Sequence, residues 1–364
     1  MIRRHFERLT AKIDGPLFAL VTCLLALGLA TLYSAAYQAP GRVGAQALNV
    51  LLALVLMWVA AQVPPQVFMR YALPAFVLVL LMLAGVALFG DVRNNARRWL
   101  PLGFTSIQPS ELMKIAMPLM LARYFHRHEA ALRLREYVVA FALLAVPTAM
   151  IARQPDLGTA LLVAAAGFYV IFLAGLSWKL IAGGSAVILA SLPVLWGVLH
   201  DYQRRRFLTL IDPSSDPLGA GYHIIQSTIA VGSGGITGKG WLGGTQTHLE
   251  FIPERATDFI FAVYSEEFGL IGASLLLVLY LAIIMRGLMI AANAPTFFTR
   301  LLAGSITLTF FTYAVVNMGM VSGLLPVVGV PLPLISYGGT SLVTLFLGIG
   351  ILMSIQHHRA LVQT

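Results

Sequence analysis

The chain is poor in charge. Only 11% of its 364 residues are Lys, Arg, Asp or Glu, and 59% are hydrophobic; a soluble domain carries about 25% charged residues. That deficit excludes a soluble nucleic-acid binder, despite the net charge of +9. A single cysteine, Cys23, excludes an intrachain disulfide. There is no His/Cys cluster to hold a resident metal. The glycine-rich stretch "GSGGITGKGWLGG" at 232–244 lacks the spacing of a phosphate loop, because Lys239 is followed by Gly240 and Trp241, which argues against a nucleotide site. Its glycines instead permit close backbone approach within a folded loop. No internal repeat, low-complexity tract or inverted repeat is visible.

What the chain does contain is long apolar runs. A membrane span needs roughly 20 apolar residues. Ten candidates lie at 16–35, 44–62, 68–89, 110–125, 137–153, 157–175, 179–199, 258–285, 300–321 and 339–355. The first run is too long for a signal-peptide core and reads as an uncleaved helix, although Arg3, Arg4, Arg8 and Lys12 precede it. The expectation is an all-α polytopic membrane protein, a single domain over 1–364, with a large extracytoplasmic loop at 200–257 before the eighth span. Ten spans put both termini on one side. With cytoplasmic termini, 13 basic residues fall inside and 10 outside; without the long loop, which the positive-inside rule largely exempts, the split is 13 to 5. The outside remains rich in cations, and "NNARRWLPL" (94–102) joins Arg97 and Arg98 to the interface-seeking Trp99. An anionic ligand or simple tolerance of charge in long loops explains that pattern equally well.

Polar groups interrupt the apolar spans. "QPSELMKIAMPLM" (108–120) carries Glu111 and Lys114 on one helical face. They form either a structural pair, with Ser110 as N-cap and Glu111 complementing the helix dipole, or a site where the lysine lines a polar cavity. In "RQPDLGTALL" (153–162), Asp156 suits an N-cap, while the nearby Pro147 suggests a neighbouring cavity. "GLLPVVGVPLPLISYGGTS" (323–341) has too much Pro and Gly for a regular helix, and reads as a re-entrant or surface loop with Ser336 and Tyr337 as its polar groups.

"FIPERATDFIFAVYSEEFG" (251–269) concentrates Glu254, Arg255, Asp258, Glu266 and Glu267. Pro253 blocks a helix from continuing across it, so Thr257 or Asp258 is the expected cap of the eighth span. The alternative is that Asp258 serves as a base at the membrane surface, kept ionised by Arg255. Glu266 and Glu267, two turns further on, require cationic or polar partners.

These residues carry a resemblance. "GAGYHIIQSTIAVGSGGITGKGWLGGTQTHLEFIPERATDFIFAVYSEE", "ARRWL…QPSELMK", "QPDLGTA" and "VNMGMVSGLLPVVGVPLPLISYGG" resemble the SEDS family (shape, elongation, division and sporulation), and its elongation branch more than its division branch. The resemblance spans most of the chain. It implies ten helices with cytoplasmic termini in the bacterial inner membrane, and a peptidoglycan glycosyltransferase using lipid II. It also implies a class B penicillin-binding protein as transpeptidase partner. The family's essential aspartate falls on Asp258; its other motif positions fall on Glu111, Lys114 and Asp156. The chain departs from the family at Asn95, often glycine, and at Ala256, often histidine.

On that reading Asp258 takes the proton of the acceptor hydroxyl. Arg97, Arg98, Lys114, the Arg204–Arg206 run and Arg255 are candidates to bind the leaving pyrophosphate. A divalent cation, Mg2+ or Mn2+, would bridge carboxylate and pyrophosphate oxygens. An apolar groove between spans would hold the polyprenyl tails. The rival is a flippase for lipid-linked precursors, which needs polar groups through the full membrane depth; a scaffold for wall synthesis leaves the intramembrane charges unexplained.

Overall fold

A computed structural model describes residues 12–359 apart from 38, 40, 94–95, 102–105, 199–200, 217–218, 250 and 253. Arg3, Arg4 and Arg8 of the orientation argument, Asn95 and Pro253 lie outside the described residues.

Each of the ten apolar stretches is a helix. In chain order they are α1 (Gly15–Ala35), α2 (Gly41–Gln62), α3 (Pro65–Phe89), α4 (Pro109–Arg127), α5 (Leu134–Ala152), α6 (Leu157–Leu173) and α7 (Trp178–Val198). Three short helices of the long loop follow, α8 (Asp201–Ile211), α9 (Ala220–Ser233) and α10 (Thr245–His248), before the spans α11 (Ile260–Ala292), α12 (Phe297–Val321) and α13 (Gly339–His358). Helices dominate because a backbone in lipid must satisfy its own hydrogen bonds. Seven of the ten have the length and composition to cross a membrane; α6 and the described apolar part of α7 are shorter, and α4 carries Glu111, Lys114, Arg123 and Arg127. The protein is a multi-pass membrane protein.

One element has no counterpart in the apolar pattern. Between α3 and α4, strands β1 (Asp91–Arg93), β2 (Ala96–Pro101) and β3 (Ser106–Ile107) form a small antiparallel sheet in the order β1-β2-β3. Its strands are too short to leave an alternating signature, and pairing across the turns replaces the hydrogen bonds that helices make internally.

The bundle is organised around α12. Two-thirds (67%) of its membrane window is buried, against 28% for α2, α3 and α5. It packs against α11 and α6, while α13 packs against α2 and α3 against α4. α1 begins with Pro16 in its first turn and Asp14 as N-cap, accepting from the Leu17 amide at 3.0 Å. The same carboxylate accepts from Arg286 near the far end of α11, at 3.0 Å and 2.5 Å, so one acid both caps a helix and ties two spans together. α7 stands apart, exposed along nearly its whole length. Between it and α5 and α6 lies an apolar groove of about 430 Å³, lined by residues such as Tyr137, Phe141, Phe168, Ile181 and Ile188.

The eighth span is longer than its apolar pattern and is broken. Within α11, Gly269 has φ 63° and ψ −161°, a conformation that L-residues rarely adopt. Residues 270–292 alone rise about 34 Å, enough to span the bilayer core. Glu266 and Glu267 therefore sit at a break, not two turns into an unbroken span. The backbone groups freed there are taken by the glycine-rich loop. Lys239 N donates to Glu266 O at 3.0 Å and Gly240 N to Glu267 O at 2.9 Å; in return Leu270 N donates to Gly235 O at 2.9 Å. A Cβ on Gly238 would stand 2.1 Å from Glu267 O, so the glycine is required for that approach. Glu266, fully buried, accepts from Lys239 Nζ at 2.7 Å, Gln246 N at 2.9 Å and Thr247 Oγ1 at 3.0 Å. Glu267 accepts from Ser34 at the end of α1. The two acids meet the cationic and polar partners that burial demands, and the loop folds onto them.

Candidate active site

Asp258 sits in a turn, 254–259, that precedes α11. The capping expectation fails: the N-cap position is Phe259, and no side chain caps the helix. What fixes the turn is long-range. Asn317 on α12, fully buried, donates through Nδ2 to Asp258 O at 2.8 Å and to Val330 O at 2.7 Å. Ser336 Oγ donates to Thr257 O at 2.6 Å while accepting from Leu332 N at 2.8 Å, and Tyr337 N donates to Ala256 O at 2.8 Å. The Pro- and Gly-interrupted segment 322–338 is thus a non-helical buckle against the Asp258 turn. It approaches the core closely enough that a Cβ on Gly28 of α1 would meet Leu334 O at 2.6 Å. Gly329 of this segment, at φ 74°, faces the carboxylate: a Cβ there would lie 3.4 Å from Asp258 Oδ2.

The Asp258 carboxylate is half-buried, and its pKa is raised to about 6, first by burial and then by the charge of Glu254; Arg206 on α8 opposes the rise and Asp156 adds to it. The expectation that Arg255 holds this group ionised is corrected. Arg255 points elsewhere, donating through Nε to Ala35 O and through Nη1 to Thr247 O, both at 2.9 Å. It pins the loop to the end of α1.

Asp156 behaves as its sequence position suggests, capping α6 by accepting from Thr159 N at 3.1 Å. Its other oxygen accepts from Gln108 Nε2 at 3.1 Å and stands 3.8 Å from Arg98 Nη1. Arg98 also donates to Pro155 O at 2.5 Å. Asp156 therefore joins the sheet to the helix ends beside Asp258. Arg97 does not join them: it is exposed and donates to Ala87 O at 3.1 Å, at the end of α3.

Glu111 and Lys114 form the expected pair at 2.6 Å, both buried. Ser110 is not the cap; the N-cap position is Gln108, and the Ser110 hydroxyl has no partner among the described residues. Lys114 also donates to the Tyr313 hydroxyl. With Thr307, Thr309 and Thr344 it borders an internal cavity of about 40 Å³ whose lining is mainly apolar, including Leu17, Ile283 and Phe310, so the pair is present but the cavity beside it is not the polar one expected. Tyr313 and Asn317 lie four residues apart on one face of α12. One helix therefore meets the Glu111–Lys114 pair and the Asp258 turn.

Of the Arg204–Arg206 run, Arg204 is committed to the end of α7, donating to Trp196 O at 2.9 Å and Gly197 O at 2.6 Å. Arg205 is exposed. Arg206 is the member whose charge reaches Asp258. Among the described residues no group of three or more His, Cys, Asp or Glu is placed to hold a metal ion.

Asn317, Tyr313, Gln108 and Gly329 were not singled out from the sequence. The available signal was the run of polar residues, Ser305, Thr307, Thr309, Tyr313 and Asn317, inside a span that should face lipid.

The comparisons with known proteins agree with this architecture. A model of the FtsW/RodA/SpoVE family, described as cell cycle protein, matches residues 16–361. The chain is 51% identical over 348 residues to peptidoglycan glycosyltransferase MrdB of Escherichia coli K12, covering 95% of this chain and 94% of that one. It is 38% identical over 287 residues to stage V sporulation protein E of Bacillus subtilis, covering 78% and 76%. Among solved structures, a chain from work on the structural coordination of polymerization and crosslinking by a peptidoglycan synthase complex superposes with a TM-score of 0.83 at 34% identity, covering 95% and 98%. Rod shape determining protein RodA of Thermus thermophilus superposes with a TM-score of 0.72 at 29% identity, covering 95% and 97%. The chain belongs to the FtsW/RodA/SpoVE family of cell cycle proteins.

Proposed function

We propose that the protein is a peptidoglycan glycosyltransferase of cell elongation that polymerises lipid II, with Asp258 as general base. The observation that carries the catalytic assignment is the freedom of the Asp258 carboxylate. The fold holds the turn by its main chain, through Asn317, Ser336 and Tyr337, and uses no helix cap or Arg255 pairing. A half-buried carboxylate with pKa about 6 suits a base working near neutral pH. The acceptor's 4-hydroxyl gives its proton to Asp258 as its oxygen bonds to the donor's anomeric carbon. The bond from that carbon to the diphosphate breaks, and the diphosphate leaves with the electron pair. Arg206 and Arg98 are the cations best placed to stabilise that charge. The groove beside α7 lies toward the end of α6 remote from Asp156, so it suits the far part of a polyprenyl tail and not the end that carries the diphosphate. Lys114, tied to Glu111 and Tyr313, supports α12 beneath the site and meets substrate less directly than Arg206.

The reading puts the Asp258 end of the bundle on the extracytoplasmic side of the bacterial inner membrane, with both termini cytoplasmic. A class B penicillin-binding protein is the partner, supported by the likeness to a peptidoglycan synthase complex that polymerises and crosslinks. A divalent cation would be held by the Asp258 carboxylate and would supply positive charge for the departing diphosphate. The flippase alternative needs polar groups through the bundle's depth; the gathering of Asp258, Asp156, Glu254 and Arg206 at one end favours the polymerase. The test is polymerisation of lipid II by the purified protein with its class B partner, wild type against Asp258→Ala. Glycan from wild type alone is expected. Transport of lipid II across liposomes without glycan would replace the reading.

A further inference from the structure

Gln46 has no part in the chemistry derived so far. It is the polar member of the buried face of α2, only 2% exposed. A buried side-chain amide must find partners for both its nitrogen and its oxygen. Gln46 finds them on one short piece of main chain. Its Nε2 donates to Ser336 O at 3.2 Å, and its Oε1 accepts from Gly338 N at 3.3 Å. The two bonds grip the chain on either side of Tyr337. Gly338 is the N-cap position of α13, where no side chain caps the helix. Gln46 thus satisfies, from another helix, an amide that α13 leaves free.

Residues 336–338 are also the part of the buckle that holds the Asp258 turn. Ser336 Oγ reaches Thr257 O at 2.6 Å, and Tyr337 N reaches Ala256 O at 2.8 Å. The same short stretch is bonded to α2 on one side and to the turn on the other. Asn317 takes the next carbonyl, that of Asp258, from α12. Three consecutive carbonyls of the turn are therefore fixed, and the first two depend on a stretch that Gln46 holds in place. The footing is firm. α13 packs along α2, and a Cβ on Gly339 would lie 3.3 Å from the Asn49 side chain, one turn along α2 from Gln46.

We propose that Gln46 is a positioning residue for Asp258: by gripping Ser336 O and Gly338 N it holds the stretch whose bonds to Ala256 and Thr257 set where the carboxylate stands. This rests on the polymerase reading above, with Asp258 as base. Gln46 touches no reacting atom and acts through the main chain. A base misplaced by about 1 Å can cost about a hundredfold in rate, so the loss of Gln46 falls on turnover more than on substrate affinity.

The test uses full-length protein with its class B partner and lipid II. Gln46→Met keeps the length of the side chain and removes both bonds. Met57→Ala is the comparison. Met57 is buried about three turns further along α2, where a Cβ on Gly350 of α13 would stand 2.4 Å from its carbonyl. Its truncation loosens the same pair of helices without touching the two bonds. Both variants are expected to melt lower than wild type. Gln46→Met is expected to lower kcat about tenfold, with KM within about threefold. Its acid limb, near pH 6 in wild type, is expected to move toward the ordinary carboxylate value, because a loosened turn gives Asp258 more water. Glu254, Asp156 and Arg206, the charges acting on Asp258, are the same in every variant. Met57→Ala is expected to keep kcat per folded molecule within about twofold and its acid limb in place. Gln46→Asn, one carbon shorter and able to reach only one partner, is expected to fall between wild type and Gln46→Met, and gives the same reading where the Met variant does not fold. Wild-type kcat in Gln46→Met overturns the proposal. So does a kcat loss shared by Met57→Ala at an equal drop in melting temperature, with the acid limb unmoved in both, which marks Gln46 as structural alone. Absence of glycan from wild type overturns the polymerase reading itself, whereas active wild type with an indifferent Gln46→Met removes only the role of Gln46.

Discussion

Asn317 donates to the main-chain carbonyl of Asp258 at 2.8 Å, across 59 residues of sequence. Its second proton goes to Val330 O at 2.7 Å. One buried amide thus joins the turn that carries the base to the broken segment facing it. Asn317→Leu preserves volume and leaves two carbonyls unpaired, at about 1–3 kcal/mol each. The variant should melt several degrees lower and polymerise at least tenfold more slowly. Thermal unfolding in detergent and the glycan assay measure both, and wild-type turnover would show that the clamp does not position Asp258.

Asp258→Asn should abolish polymerisation. In wild type, kcat/KM should fall as pH drops through about 6, losing about tenfold per unit below it, because the base works deprotonated. Stability moves the other way. The folded pKa, about 6, lies above the ordinary value of 3.8, so the fold favours the protonated form, and stability is lost as pH rises through about 6. Asp258→Asn should therefore melt higher than wild type at pH 7.5, with the difference vanishing near pH 4. A lower melting temperature at pH 7.5 would contradict the burial argument.

Arg206→Ala should slow turnover at least tenfold, while Arg205→Ala, at an exposed position, should leave it within about twofold. Arg206 lowers the Asp258 pKa. Its removal should also move the acid limb of the pH profile upward, a signature absent from Arg205→Ala. Identical profiles for the two variants would remove Arg206 from the site.

Lys114→Met strands the Glu111 charge in the bundle, 7% exposed, an effect of about 3–5 kcal/mol when one partner of a buried pair is removed. The double variant Glu111→Gln with Lys114→Met should recover most of that stability, because no charge remains to be compensated. Melting temperatures of the two single variants and the double one close the cycle. Activity recovered along with stability would make the pair structural alone, and stability without activity would give Lys114 a part in the reaction.

Much of the molecule was legible from patterns within a few residues. Ten apolar runs predicted ten helices, since a backbone away from water must bond to itself. Asp156 reads as a cap because its partner, Thr159 N, is three residues away. Glu111 and Lys114 read as a pair for the same reason. The Pro and Gly content of 323–341 rules out a regular helix and reads as a re-entrant or surface loop; residues 322–338 are irregular, exposed at Leu324 and Gly329 and buried at 332–336. The small sheet of 91–107 was missed because its strands are two to six residues long.

The sequence by itself determined which segments enter the membrane and where charge is too costly to stand alone, because both follow from local composition and from hydrogen bonds within one or two turns. Tertiary structure alone decided what those charges do. Asp258 and Arg255 are three residues apart, yet one faces the candidate site and the other the carbonyls of Ala35 and Thr247. Glu266 reads as an acid deep in a span until Gly269 breaks the helix and Lys239, 27 residues earlier, folds onto it. Gln46 and Asn317 reach the segments around Asp258 only when α2 and α12 pack there. The physical reason is that a side chain's direction and burial are set by contacts between elements distant in sequence, and no short-range pattern encodes which elements will meet.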